Sequence, residues 1–170
     1  MTTLYLVRHG ETFDNAAHIL QGQVQGELND AGKEQARQVA EKMKNEKIDV
    51  FVSSDLNRSE QTCAVIAAPH GAEIVTTPLL RERDWGSMTG KYIPALPKDP
   101  ADWPDDVETI AHLKSRAQNF LTWLKVTYPG KTVVAVGHGI INKAVQSVYY
   151  HKPMNEIPRM QNAEVRVLML

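Results

Sequence analysis

The chain has 170 residues, 42 % hydrophobic and 23 % charged, an ordinary soluble balance with enough length for one full core and too little for two domains. A net charge of −1 gives no general attraction for nucleic acid or an anionic membrane, so neither is expected as a partner. One cysteine excludes an internal disulfide, no apolar run approaches the ~20 residues of a membrane span, and no signal-peptide pattern is present, so a cytoplasmic location is expected.

In chain order, Thr3 to Val7 is a short apolar strand that breaks into Arg8-His9-Gly10-Glu11-Thr12. A polar, unperiodic stretch with Gly22 and Gly26 reads as loop. Asn29-Asp30 offers a helix cap before Ala31 to about Glu46, where Ala36, Val39, Ala40 and Met43 fall at helical spacing. Ile48 to Val52 is a second strand, ending in Ser53-Ser54-Asp55. Ser54 or Asp55 is expected to cap a helix running to Ala68, before Pro69. Within that helix Cys63 reads as a small buried hydrophobe.

Glu73 to Val75 is a third strand, after which the pattern dissolves from Arg81 to about Pro104. Pro94, Pro97, Pro100 and Pro104 forbid a regular helix, and residues 83–105 read as an irregular lid. Its Trp85, Tyr92 and Trp103 suit either an organic ligand group or the core, and both readings stand open. A helix from about Asp106 to Tyr128 ends at Pro129-Gly130. Strand four, Thr132 to Val136, breaks into Gly137-His138-Gly139, followed by a helix from Ile140 to about Tyr150 and a last strand, Val165 to Leu170. This alternation predicts an α/β fold: a three-layer α/β/α sandwich on a mostly parallel sheet, in a single domain. The last strand need not be parallel to the others.

Ligands of such folds bind at the carboxyl ends of the strands, and there the chemistry-bearing residues gather. Strand one delivers Arg8 and His9, strand two leads to Arg58, and strand four delivers His138. Two arginines and two histidines around one pocket suit a phosphoryl group, whose oxygens guanidinium forks hold bidentately. Helix N-termini after Ser54 and Gly139 are expected to add N–H donors. No His/Asp/Cys cluster at ligand spacing surrounds either histidine, and a cation would sit beside guanidinium groups, so no metal is expected. His18, His70, His112 and His151 have no supporting pattern and read as surface or structural residues.

Arg8-His9-Gly10-Glu11-Thr12 with Asn15 resembles the signature of the histidine phosphatase superfamily, in its phosphoglycerate-mutase-like branch. The resemblance continues through Gln21-Gly22, Leu28-Asn29-Asp30-Ala31-Gly32 and Ser53-Ser54-Asp55-Leu56-Asn57-Arg58-Ser59-Glu60-Gln61-Thr62. Leu80-Arg81-Glu82 followed by Gly86, then Glu108-Thr109 with Arg116, and Val136-Gly137-His138-Gly139 complete it. It implies His9 as nucleophile, neutral and forming a phosphohistidine, with the cations Arg8 and Arg58 favouring its neutral form. Arg8, Arg58 and His138 would clamp the phosphoryl oxygens, with His138 a donor when protonated, assisted by Asn15, Gln21, Gly22 and the backbone at Gly139. Glu82 would protonate the leaving oxygen and then activate water. Glu11 and Thr12 read as braces of the loop.

Ser87-Met88 stands where many relatives have Glu-Gly, leaving Glu82 as the acid of its segment. The short stretch between Glu82 and Glu108 and the absence of a closing tail favour hydrolysis over a mutase, which must exclude water. Protein-phosphohistidine phosphatases, similar in length, have less need of an acid. The expectation is therefore a metal-independent phosphatase acting on phosphate monoesters of small metabolites, without a cofactor. A mutase, a phosphohistidine phosphatase and a non-catalytic phosphate-binding module are the alternatives. Neither substrate nor oligomeric state is set by the sequence.

Overall fold

Four parallel strands and one antiparallel edge form the sheet of the computed structural model, which describes residues 1–170. The strands are β1 (Thr3–Arg8), β2 (Val50–Ser53), β3 (Ile74–Thr76), β4 (Thr132–Gly137) and β5 (Val165–Met169), in the spatial order β3-β2-β4-β1-β5. β5 is the strand that runs antiparallel, paired with β1. The helices are α1 (Phe13–Ala16), α2 (Asp30–Met43), α3 (Asn57–Ala67), α4 (Ile110–Thr127) and α5 (Gly139–Tyr150).

Alternation along the central strands divides the core into two layers. Val7, Phe51, Val134 and Val136 face Val39, Met43, Cys63 and Ile66 of α2 and α3. Leu4, Leu6, Val52, Val133 and Ala135 face Leu113, Phe120, Leu124, Ile141 and Val145 of α4 and α5. The expected three-layer sandwich is thus present, with strands β1, β2 and β4 buried on both faces as parallel strands require. Truncating Phe51 or Phe120, both fully buried, to alanine would cost ~3–5 kcal/mol. Burial also pushes the Cys63 thiol up to about 12, so it is an apolar filler donating weakly to the Val52 carbonyl. No helix is long and apolar enough to cross a membrane.

Three local expectations are corrected. Helix α3 begins after Leu56 with no side-chain cap, because Ser54 and Asp55 are engaged elsewhere: Ser54 Oγ meets His138, and Asp55 forms a fork with Arg81. Helix α4 starts at Ile110, capped by the Thr109 side chain, since Asp106 and Glu108 before it bond back to Ser87 and Asp84. Helix α2 ends at Met43 rather than Glu46.

Candidate active site at the strand ends

β1 and β4 lie side by side with Arg8 opposite Gly137, so the next residues of both strands, His9 and His138, become neighbours. Their ring centroids are 5.0 Å apart, edge to face. β4 also pairs with β2, with Ser53 opposite Val136, which delivers Ser54 to the same edge. Around this edge lies a pocket of about 270 Å³ lined by Arg8, His9, Asn15, Gln21, Gly22, Arg58, Glu82 and Gly139. His138, completely buried next to His9, is not among the residues that line it.

The loop after β1 is locked to α2 by close backbone approach. A methyl group on Gly10 would fall 2.5 Å from the Gly32 carbonyl oxygen, and one on Gly32 would overlap the Glu11 carbonyl. Glu11 accepts from the Asn29 amide at 2.8 Å, Thr12 caps α1, and Gly10 N–H donates to Thr62 at 3.1 Å. Glu11 and Thr12 therefore brace the loop.

His9 Nδ1 sits 2.7 Å from the Gly10 carbonyl oxygen. A carbonyl only accepts, so Nδ1 carries the proton and Nε2 keeps its lone pair. Burial, aided by the charges of Arg58 and then Arg8 and opposed by the Gly10 bond, holds the imidazole down at about 3. The ring is neutral at physiological pH, with burial outweighing the arginines that sequence reasoning credited. His138 is also held well below the ordinary histidine value, by burial first and then by Arg58, His9 and Arg8. The His138 ring is therefore neutral as well.

Both arginines are anchored through backbone carbonyls and leave one edge unpaired. Arg8 Nη1 donates to the Met160 carbonyl at 2.8 Å. Arg58 donates through Nη2 to Gly22 O at 2.6 Å and through Nη1 to Val24 O and Gln25 O. Gly22 therefore holds Arg58 through its carbonyl as well as lining the pocket. Burial pulls the Arg58 guanidinium down to about 10, with Glu82 and Asp14 opposing, so it stays charged. Arg8 Nε, Arg58 Nε and His138 Nδ1 are all buried without a protein partner. Buried donors are rarely left so, and three beside His9 fit an oxyanion.

Glu82 enters from the segment after β3. Its carboxylate accepts from Ile140 N–H at 3.1 Å, Ile141 N–H at 3.0 Å and Arg83 N–H at 2.8 Å. This corrects the expected role of the helix N-termini. Two N–H groups of α5 serve Glu82, and those opening α3, at Asn57 and Arg58, donate to Gln25.

Asn15 Oδ1 accepts from Thr12 N–H and from Asn162, which leaves its Nδ2 as a donor at the pocket. Gln21 is buried with Oε1 unpaired.

The 83–105 segment builds the outer wall as a chain of 3-10 turns. It pairs with residues 18–20, with Leu20 N–H on Lys91 O and Ile93 N–H on His18 O. Trp85 lines the pocket beside Ile19, Leu20 and Ile93, and Trp103 packs edge-on to Trp85. Tyr92 is half exposed. None of the four remaining histidines lines the pocket: His18 precedes Ile19, which does, His112 bonds Glu108, His70 packs on Phe51, and His151 ends α5.

Sequence reasoning missed four contributors. Asn162 donates to the His9 carbonyl, Ser54 bonds His138, and Lys143 and Arg159 line the pocket without a carboxylate partner. The last two are isolated charges with no local pattern to mark them. Nowhere do three His, Cys, Asp or Glu side chains gather into a group that could hold a metal ion.

A doubly wound sheet that brings this set to its carboxyl edge defines an anion-handling α/β enzyme. The chain belongs to the histidine phosphatase superfamily (branch 1), whose profile matches residues 4–170. It is 35 % identical over 152 residues to a probable phosphoglycerate mutase GpmB of Enterobacter sp. (strain 638), covering 82 % of this chain and 71 % of that one. Other relatives of that description match over 103 residues, 48 % of their own length, so the chain spans about half of those proteins.

Among solved structures, a mycobacterial glucosyl-3-phosphoglycerate phosphatase complexed with VO3 superposes with a TM-score of 0.89 at 26 % identity, covering 98 % of this chain and 92 % of that one. A mutant phosphoserine phosphatase from Entamoeba histolytica, in complex with phosphoserine, gives 0.89 at 26 % identity, covering 99 % and 91 %. The chain is accordingly an enzyme of the phosphatase or mutase type.

Proposed function

We propose that this chain is a metal-independent phosphatase that hydrolyses phosphate monoesters of small metabolites through a phosphohistidine on His9. The observation that carries the reading is the set of three buried, unpartnered donors, Arg8 Nε, Arg58 Nε and His138 Nδ1, on residues that neighbour His9, whose Nε2 keeps its lone pair. A phosphoryl group in the pocket would satisfy all three while presenting phosphorus to Nε2.

In the first step the His9 Nε2 lone pair forms the N–P bond as the ester P–O bond breaks, and Glu82 gives its proton to the leaving oxygen. Water then attacks phosphorus, Glu82 takes a proton from it, and the N–P bond breaks to release inorganic phosphate and neutral His9. Asn15, Gln21, Gly22 and Gly139 line the phosphate end. Lys143 and Arg159 line the same pocket and are available for the rest of the substrate. The phosphoserine held by the Entamoeba histolytica relative supports a small phosphorylated metabolite as substrate. The lone buried thiol supports a reducing compartment such as the cytoplasm.

A mutase is the second reading, favoured by the description of the Enterobacter relative. The test is hydrolysis of a chromogenic aryl phosphate in EDTA, which should persist in the intact protein and vanish in His9→Ala. With phosphoglycerate, release of inorganic phosphate supports the phosphatase, and isomerisation without release supports the mutase. Loss of activity in EDTA would overturn the metal-free mechanism.

A further inference from the structure

Ser54 touches no substrate position, yet it sits at the end of β2 with its hydroxyl 2.7 Å from His138 Nε2, both residues completely buried. The other contact of Ser54 Oγ is the Leu56 N–H at 3.4 Å, which can only donate. Of its two neighbours, only His138 Nε2 can receive the hydroxyl proton. An unprotonated Nε2 on a neutral ring places the proton on Nδ1. That nitrogen is buried, has no acceptor in the protein, and belongs to a ring whose centroid is 5.0 Å from that of His9. Burial, and then the charges of Arg58 and Arg8, disfavour an imidazolium and leave a neutral donor as the form the site accommodates.

Resting on the phosphatase reading above, we propose that Ser54 is a positioning residue that fixes His138 in its Nδ1–H tautomer, so that a neutral histidine donates a hydrogen bond to the phosphoryl group. Without the hydroxyl, the ring is free to carry its proton on Nε2. Nδ1 would then present a lone pair, not a donor, to a phosphate oxygen. A buried donor aimed at developing charge is worth ~10²–10³ in kcat when lost. The serine therefore acts on the reaction through the histidine, and backbone register (Ser53 opposite Val136) makes that contact possible.

The experiment is imidazole nitrogen NMR on the full chain and on Ser54→Ala and Ser54→Thr, with kcat on an aryl phosphate. Wild type should show His138 with a protonated Nδ1 and a bare Nε2, and inorganic phosphate alone should shift the Nδ1 resonance. Ser54→Ala should move the proton toward Nε2 and lower kcat roughly 10²-fold in a protein that circular dichroism shows to be still folded. Ser54→Thr, which keeps the hydroxyl, should restore the tautomer. A wild-type His138 protonated on Nε2 or on both nitrogens overturns the proposal, as does a Ser54→Ala protein that keeps the Nδ1–H tautomer. These spectra require no turnover. An inactive wild type with the expected tautomer and phosphate response would count against the phosphatase reading and leave the Ser54 assignment standing.

Discussion

Arg116 grips Glu108 with a two-pronged fork, Nε to Oε2 at 2.8 Å and Nη2 to Oε1 at 2.9 Å, and uses its other protons on the backbone around Glu82. Nη1 donates to Leu79 O at 3.0 Å and Arg81 O at 2.9 Å, and Nη2 to Glu82 O at 3.3 Å. Glu108 in turn accepts from Asp84 N–H, and its carbonyl accepts from Arg83 Nε. The pair thus buckles both flanks of the proposed acid to helix α4. Arg116→Met should slow hydrolysis of alkyl phosphates, which need a protonated leaving oxygen, about tenfold more than that of nitrophenyl phosphate, which does not. Equal losses on both substrates would show that the buckle does not act through Glu82.

Glu82→Gln keeps the shape but removes the proton that the mechanism passes on. It should lower kcat for an alkyl phosphate ~10²-fold or more, with a smaller effect on a nitrophenyl ester. Initial rates across a leaving-group series check this, and a flat series would remove Glu82 from the acid role.

The two buried histidines make folding stability depend on pH. Burial lowers the folded-state value of His9 to about 3, and that of His138 also falls well below the usual ~6.5 of an unfolded histidine. Below the unfolded value the denatured chain therefore binds protons that the folded chain refuses, so stability falls as pH drops through ~6.5 and keeps falling toward 3. Burial alone would raise Glu108, but Arg116, Asp84 N–H and His112 together hold it at about 2, adding a further loss as pH falls below the ordinary carboxylate range. Melting temperature measured from pH 7 to pH 4 should decrease steadily, and an unchanged value would contradict the burial of neutral histidines.

Lys143 and Arg159 line the pocket with no carboxylate beside them. A phosphorylated acid should therefore exceed its neutral counterpart in kcat/KM, and Lys143→Met with Arg159→Met should shrink that ratio about tenfold, the effect of losing two screened charge contacts of ~0.7 kcal/mol each. Competition between phosphoglycerate and glycerol phosphate measures it. A ratio that does not move would place both cations outside substrate recognition.

Much of this was legible in the sequence where local chemistry marks a break. The apolar runs ending at Arg8-His9-Gly10 and Gly137-His138-Gly139 announce two buried strands and the groups at their ends. What the sequence hides is adjacency: nothing in the spacing says that β4 lies between β1 and β2, and it is that order which seats Ser54 against His138. Ser54 was read as a helix cap because a serine before a helix usually is one. The carbonyls of Gly22, Val24 and Gln25 that cage Arg58 were invisible because every residue has a carbonyl. Glu82 stood in a charge run, and only the resemblance singled it out. Its backbone anchors on α5 required the fold.

The central claim is that His9 Nε2 carries the phosphoryl group during turnover. Rapid quenching of the protein with a radiolabelled phosphate monoester, followed by a stability test of the label, measures it directly. A phosphohistidine gives a label stable in base, labile in acid, located on His9 and absent from His9→Ala. Turnover with no protein-bound label at any quench time, or a label that persists in His9→Ala, would contradict it.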